Sequence, residues 1–364
     1  MPINEEAAES QQVEEQPSPS DLLREQRDQL GEDQSTAIEL LDFAIWLEDN
    51  DVDGFVGEVG WPNNAARQSE ALLWLDLAEN NNIPVTTWAA GTSWPDSYNL
   101  LFFADSEDAD DIVDEARPQG TLLTNRFAQS NLDWGVNVAG LEFAANGNPE
   151  YSAANPGELG VNYFIEPAGT YTYLASQGVE VVRLPFSWER LQPELYGPLD
   201  QDYLALITSS VDAISASGMQ AILDVHNYGR YTPTAGNELL IGSSELPYDA
   251  LSDLWRKIHS EMTTQLASGA IWAYDIMNEP RDLPNPTQET PAREWEVGSQ
   301  QVLDAIRAEG YTGTILVPGY DWSKLHKWSL NHPTAWINDP LNNFVYQAHH
   351  YWDEDRSGTY QNES

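Results

Sequence analysis

Cysteine is absent from the chain, which excludes disulfides, iron–sulfur clusters and thiolate zinc sites. Lysine is nearly absent: Lys257, Lys324 and Lys327 are the only three in 364 residues. Basic residues total 16 against 59 acidic ones, a formal net charge of −43. Phosphates are repelled by such a surface, so nucleic acid is excluded as a partner. No apolar run approaches the ~18–20 residues of a membrane span, and no membrane partner is expected. No Gly-x-Gly-x-x-Gly or Gly-x-x-x-x-Gly-Lys loop follows a strand-like run, so nothing points to a nucleotide. Residues 1–34 lack a basic n-region, a twin-arginine pair and an apolar h-region, and therefore do not read as a signal peptide. Their Glu, Gln, Ser and Pro content predicts a disordered acidic segment over 1–34, ahead of a single domain over 35–364.

What is present argues for a packed protein. Hydrophobic residues make up 41%, with 14 Trp and 16 Tyr, and the acids are spread along the whole sequence. Adaptation to molar salt accounts for this combination. There the Debye length shrinks to ~3 Å, which screens repulsion among carboxylates.

Apolar strand-like runs alternate with helical spacing. The strand-like runs are Gly54–Gly60, Pro84–Ala90, Trp134–Phe143, Glu180–Trp188, Gln220–Tyr228, Ile271–Glu279, Gly313–Trp322 and Asn343–Trp352. Helical segments include Thr36–Glu48, Ala65–Asn82, Tyr203–Gly218 and Leu251–Leu266. Eight buried strands alternating with helices predict a (β/α)8 TIM barrel, an α/β fold that needs about 250 residues. The runs become polar or aromatic at their C-terminal ends, the face on which such barrels carry chemistry. Those ends hold Glu58, Trp88, Arg183, His226-Asn227-Tyr228, Asn278-Glu279-Pro280, Asp321-Trp322 and His349-His350-Tyr351.

Glycoside hydrolysis needs two carboxyl groups across the scissile bond. Most of the 59 acids are solvated surface residues, but Glu58 and Glu279 each close a buried run and precede a chain-turning Val-Gly or Pro. The supporting residues have plainer readings. Arg183 can simply pair with a surface acid, and His226 or His349 can be satisfied core histidines. Metal ligation is a further reading of the histidines, though none is repeated at helical ligand spacing. Trp88, Trp94 and Trp322 can be core, but Trp beside loops suits stacking on the apolar face of a glucose ring.

Five motifs together resemble glycoside hydrolase family five, the cellulase family. They are Val182–Pro193 (VRLPFSWERLQP), Leu223–Tyr231 (LDVHNYGRY), Met277–Pro280 (MNEP), His349–Tyr351 (HHY) and Gly57–Gly60 (GEVG). The resemblance implies a retaining endo-β-1,4-glucanase without a cofactor or metal, acting on a β-glucan polysaccharide. It makes Glu279 the acid/base, with a pKa raised by burial and by Glu58, and Glu58 the nucleophile. Arg183 and Tyr351 then hold the nucleophile, and His226, Asn278, His349 and Trp88 line the sugar site. Alternatives are a related glycanase (mannan, xyloglucan or mixed-linkage glucan) and a non-catalytic carbohydrate-binding barrel.

The motif order departs from the family's, in which the nucleophile lies downstream of the proton donor. Residues from about 34 to 127 resemble the family's sixth helix through its C-terminal segment, and those from Trp134 onward resemble strands one to six. The expectation is a circularly permuted barrel that begins at the usual sixth helix and ends after the usual sixth strand. It is expected to be a monomer, with a domain-swapped oligomer as the alternative. Its substrate implies an extracellular location.

Overall fold

The computed structural model describes residues 17–106, 112–128, 130, 132–145, 148–284 and 288–360. Eight parallel strands form a closed ring: β1 (Gly54–Gly60), β2 (Val85–Ala90), β3 (Trp134–Val138), β4 (Val181–Phe186), β5 (Gln220–Val225), β6 (Ile271–Asp275), β7 (Thr314–Pro318) and β8 (Phe344–Tyr351). Each strand pairs with the next, and β8 pairs with β1 to close the barrel. All eight expected runs are strands. Several end earlier than their apolar pattern, because the ladder stops where the chain turns into the loops that carry polar groups. Thus β6 ends at Asp275, and Asn278 and Glu279 lie beyond it.

Helices form the outer layer. Ser35–Asn50, Ala65–Asn80, Gln201–Ala216, Tyr248–Glu261 and Pro291–Ala308 are the longest. Three begin at polar caps: Asn64, Asp200 and Thr290 each accept a backbone N–H from the first turn. The inner faces of this layer bury Trp74, Trp255 and Trp295 against the strands.

The expected disorder over 1–34 does not hold for the described part of that segment. Pro19–Asp28 is a helix with a reciprocal capping box between Ser18 and Asp21 and Pro at its first position. Arg24 and Arg27 tie it to the next helix through Asp49 (2.5 Å) and Asp42 (2.9 Å). The acidic composition hid a local start signal, Ser18-Pro19-Ser20-Asp21. Residues 1–16 lie outside the described residues.

The barrel interior is layered. At the bottom Phe55, Val181, Ile222, Ala273 and Leu316 form an apolar plug. Two residues further along β4, β5 and β6 stand Arg183, Asp224 and Asp275, all fully buried. Above these come His226, Glu58, Glu279 and His349. Because side chains alternate along a strand, the interior face of one strand passes from apolar to charged to reactive in steps of two residues.

Candidate active site

Glu58 leaves β1 just past a register shift between Val56 and Glu58. Such bulges re-aim a side chain. Gly57 is required there, since a Cβ would stand 2.5 Å from the Gln347 carboxamide. Both oxygens of Glu58 are held: Oε1 accepts from Arg183 Nη1 at 2.9 Å and Oε2 from the Tyr351 hydroxyl at 2.6 Å. Glu279 sits across the barrel mouth with φ 43°, a left-handed conformation that a non-glycine residue keeps only where its surroundings enforce it. Its Oε1 lies 2.8 Å from His349 Nδ1, which is also 3.5 Å from Glu58 Oε2. One ligand atom from each of Glu58, Glu279 and His349 falls within 4.8 Å of the others.

Arg183 is the hub beneath the pair. Its Nη1 also donates to Asn137 Oδ1 (2.8 Å), its Nε to Asp275 Oδ2 (2.8 Å) and its Nη2 to Asn278 Oδ1 (2.8 Å), with Asp224 Oδ2 3.0 Å from Nη2. Burial works against the guanidinium charge, but Asp224, Asp275 and Glu58 outweigh it and raise its pKa. Burial pushes Asp224 up to about 7 against the pull of Arg183, and raises Asp275 likewise.

Two histidines are neutral at neutral pH. Burial lowers His226 to about 3 and His349 to about 4. His226 Nδ1 is 2.7 Å from Asp224, while its Nε2 faces the Tyr228 hydroxyl (3.0 Å) and Asn278 Nδ2 (3.2 Å). The single proton therefore sits on Nδ1, and Nε2 accepts. In His349, Gln347 Nε2 donates to ring Nε2 at 2.9 Å, so Nδ1 carries the proton and donates to Glu279. Burial raises Glu279 to about 8; Arg183 and Lys324 oppose the rise, and Asp224 is the carboxylate that adds to it. Burial rather than Glu58 is thus the principal cause.

A cavity of about 400 Å³ opens above these groups, lined by Glu58, Trp88, His226, Glu279, Trp322 and Tyr351, among others. Trp88 stacks on His226 at 5.5 Å between centroids. Trp322 meets Tyr228 edge-on and carries the Arg281 guanidinium 4.2 Å from its ring centre. A second hollow of about 420 Å³, lined by Tyr151, Glu189, Asn227 and Arg230, continues from His226 and Tyr228.

Of the ten residues picked from the sequence, seven line the cavity or face its carboxylates: Glu58, Glu279, His226, His349, Tyr351, Trp88 and Trp322. Arg183 and Asn278 lie beneath it, fully buried, and the Asn278 carboxamide is engaged by Arg183 and His226. Trp94 stands apart, stacked on Tyr98 at 4.1 Å behind Trp88. Residues not picked out are Asn137, Asp224, Asp275, Gln347, Tyr228, Tyr98, Lys324 and the segment 356–359. Asp224 and Gln347 each precede an identified histidine by two residues, and that spacing is the signal that could have found them. A cation at Glu58, Glu279 and His349 would have to displace the proton on His349 Nδ1 and would stand beside the Arg183 guanidinium.

The profile of the cellulase family (glycosyl hydrolase family 5) matches residues 143–364. The chain belongs to this family. It is 34% identical over 228 residues to endo-beta-1,4-glucanase A of Emericella nidulans, covering 62% of each protein. It is 30% identical over 233 residues to the manganese dependent endoglucanase Eg5A of Phanerodontia chrysosporium, covering 62% of this chain and 54% of that one. Among solved structures, XacCel5A in complex with cellopentaose superposes with a TM-score of 0.53 at 37% identity, covering 62% of this chain and 67% of that chain. Pseudomonas stutzeri endoglucanase Cel5A in complex with cellobiose gives 0.54 at 36% identity, covering 62% of each. The chain therefore spans about 62% of the length of the first of these relatives. The family match includes β4 to β8, with Glu279, and leaves out β1 to β3, with Glu58 and Trp88.

Proposed function

We propose that the chain is a retaining endo-β-1,4-glucanase with Glu279 as acid/base and Glu58 as nucleophile. The observation that carries this is the approach of the two carboxylates, whose oxygens come within 4.8 Å across the barrel mouth. Retaining enzymes keep their carboxyl groups ~5–5.5 Å apart, whereas inverting ones leave ~6.5–9.5 Å for a water. Glucan relatives of the family and an aromatic-walled cavity support the substrate class.

Glu279 begins the cycle protonated, since its pKa of about 8 lies above neutrality. His349 donates to its Oε1, which leaves the proton on Oε2 for the leaving glycosidic oxygen. Glu58, aimed by Arg183 and Tyr351, attacks the anomeric carbon and forms a glycosyl-enzyme. Glu279, now ionised, takes a proton from the incoming water, and the sugar leaves with net retention. Trp88 and Trp322 offer faces for the glucosyl units on either side, and the second hollow extends the groove along a polymer.

The motif order is read as a circular permutation. A closed ring of strands has no intrinsic first member, so a barrel can be opened at any exposed loop. That reading also accounts for why a collinear family match leaves out β1 and β2, with Glu58 and Trp88, which lie ahead of the part that runs in the family's order. The catalytic domain on this account is residues 35–364, with helix Pro19–Asp28 docked on it. The surface charge is assigned to life in molar salt.

The test is reducing-sugar release from carboxymethyl-cellulose in molar salt. The parent should be active, and Glu58→Gln should fall by on the order of a thousandfold or more with its fold intact. A folded but inactive parent would move the assignment to another glycan or to a binding-only barrel.

A further inference from the structure

Just past β8 the chain makes a short loop, residues 353–360, that forms one wall of the catalytic cavity. Asp353 organises it, accepting from the backbone N–H groups of Gly358 (3.0 Å), Thr359 (3.1 Å) and Tyr360 (3.2 Å) and from the Ser357 hydroxyl (2.8 Å). Arg356 fastens it outward, reaching Glu39 of helix Ser35–Asn50 at 2.8 Å. The loop ends by turning Tyr360 back into the protein, where it is 3% exposed.

The Tyr360 hydroxyl joins two strands. It donates to the Gly60 carbonyl at 2.5 Å and accepts from the Trp352 N–H at 2.8 Å. Gly60 stands two residues after Glu58, Trp352 one residue after Tyr351, and Gly60 and Tyr351 are register partners across β1 and β8. The ring of Tyr360 packs with Tyr351 and Leu100 in a small apolar cluster. From the same loop Gly358 lies flat against Tyr351: a Cβ there would stand 2.9 Å from the ring. Tyr351 in turn makes the 2.6 Å bond to Glu58.

We infer that Tyr360 is a positioning residue for the reaction, fixing the Tyr351–Glu58 pair by bridging the ends of β1 and β8. The inference rests on the glucanase reading. It does not follow from the family's motifs, none of which includes residue 360. Tyr360 touches neither reacting carboxylate and acts through Tyr351. Without its hydroxyl the strand ends lose a shared partner just where the nucleophile is aimed, and small misplacements at that point are costly to the chemical step.

The experiment is a double-mutant cycle with Tyr360→Phe, Tyr351→Phe and the pair, read as kcat and KM on carboxymethyl-cellulose alongside thermal melting. Tyr360→Phe keeps the ring and should lower kcat by about tenfold with little change in KM. Adding it to Tyr351→Phe should cost nothing further, because the partner through which it acts is already gone. Tyr360→Phe at parental kcat, or losses that multiply in the double mutant, would overturn the inference. Should Tyr360→Phe fail to fold, 4-fluorophenylalanine at position 360 fills the hydroxyl's space without donating to Gly60 and takes its place in the cycle with the same two outcomes. An inactive parent would remove the glucanase reading and this inference with it; an active parent with unaltered Tyr360→Phe removes the inference alone.

Discussion

Arg183 holds Glu58 from below while compensating two other buried carboxylates, Asp224 and Asp275. Its replacement by Met should cost more than activity. Three acids would be left in a dry interior without their counter-charge, a loss of roughly 3–5 kcal/mol that chemical denaturation would register. In the proposed mechanism Glu279 sets a pH limit. A general acid with a pKa of about 8 loses its proton as pH rises through that value, so kcat/KM on a polymer should fall on the alkaline side near pH 8. A dinitrophenyl cellobioside, whose leaving group needs no protonation, should show a much weaker limb. The same group affects stability with a definite sign. Its folded pKa is raised, so the protonated form stabilises below the ordinary carboxyl range, and that stability is lost as pH rises toward 8. Melting curves should show Glu279→Gln gaining on the parent between about pH 4.5 and 8 and holding a constant advantage above. As candidates, Glu58 and Glu279 were legible because each falls near the end of an apolar run, shortly before Gly60 or Pro280. Asp224 and Asp275 were not, because two acids among 59 carry no mark of burial until the barrel closes around Arg183.

At the scale of elements, the strands were the most legible part. Short, mostly apolar runs alternating with helical segments have one outcome when helices cover the outside and the ring buries the inside. Their ends were less so, since periodicity does not show where a ladder gives way to a turn. Asn278 and Glu279, read as part of the run ending at Glu279, sit in a loop beyond β6. The helix at Pro19–Asp28 was lost to composition: acidic and polar residues suggest disorder, while a cap and two arginines aimed at the neighbouring helix dictate otherwise. Close strand contact makes one sharp demand. A Cβ on Gly135 of β3 would stand 2.0 Å from the Val181 carbonyl on β4. Gly135→Ala should therefore force the two strands apart and destabilise the barrel by about 3 kcal/mol or more, seen as a lowered denaturation midpoint.

For the whole molecule, charge and the proposed permutation are the two features to test. Sixteen arginines and lysines cannot neutralise 59 acids, and two of the three lysines are already paired, Lys257 with Asp253 and Lys327 with Asp321. The remaining repulsion grows as the Debye length lengthens to ~10 Å at 0.1 M salt, so dialysis from molar salt should unfold the protein, followed by circular dichroism. A fold that persists unchanged in dilute buffer would contradict the salt assignment. The motifs alone did not show how Glu58 meets Tyr351: that depends on β1 pairing with β8, a contact between residues nearly 300 positions apart. The proposed mechanism turns on Glu58, the upstream carboxylate, as the nucleophile. It is tested most directly by trapping the intermediate with a dinitrophenyl 2-deoxy-2-fluoro-β-cellobioside and mapping the labelled peptide by mass spectrometry. One covalent sugar is expected, carried on Glu58. A label on any other carboxylate, or turnover of the polymer by an enzyme that never takes the label, would contradict it.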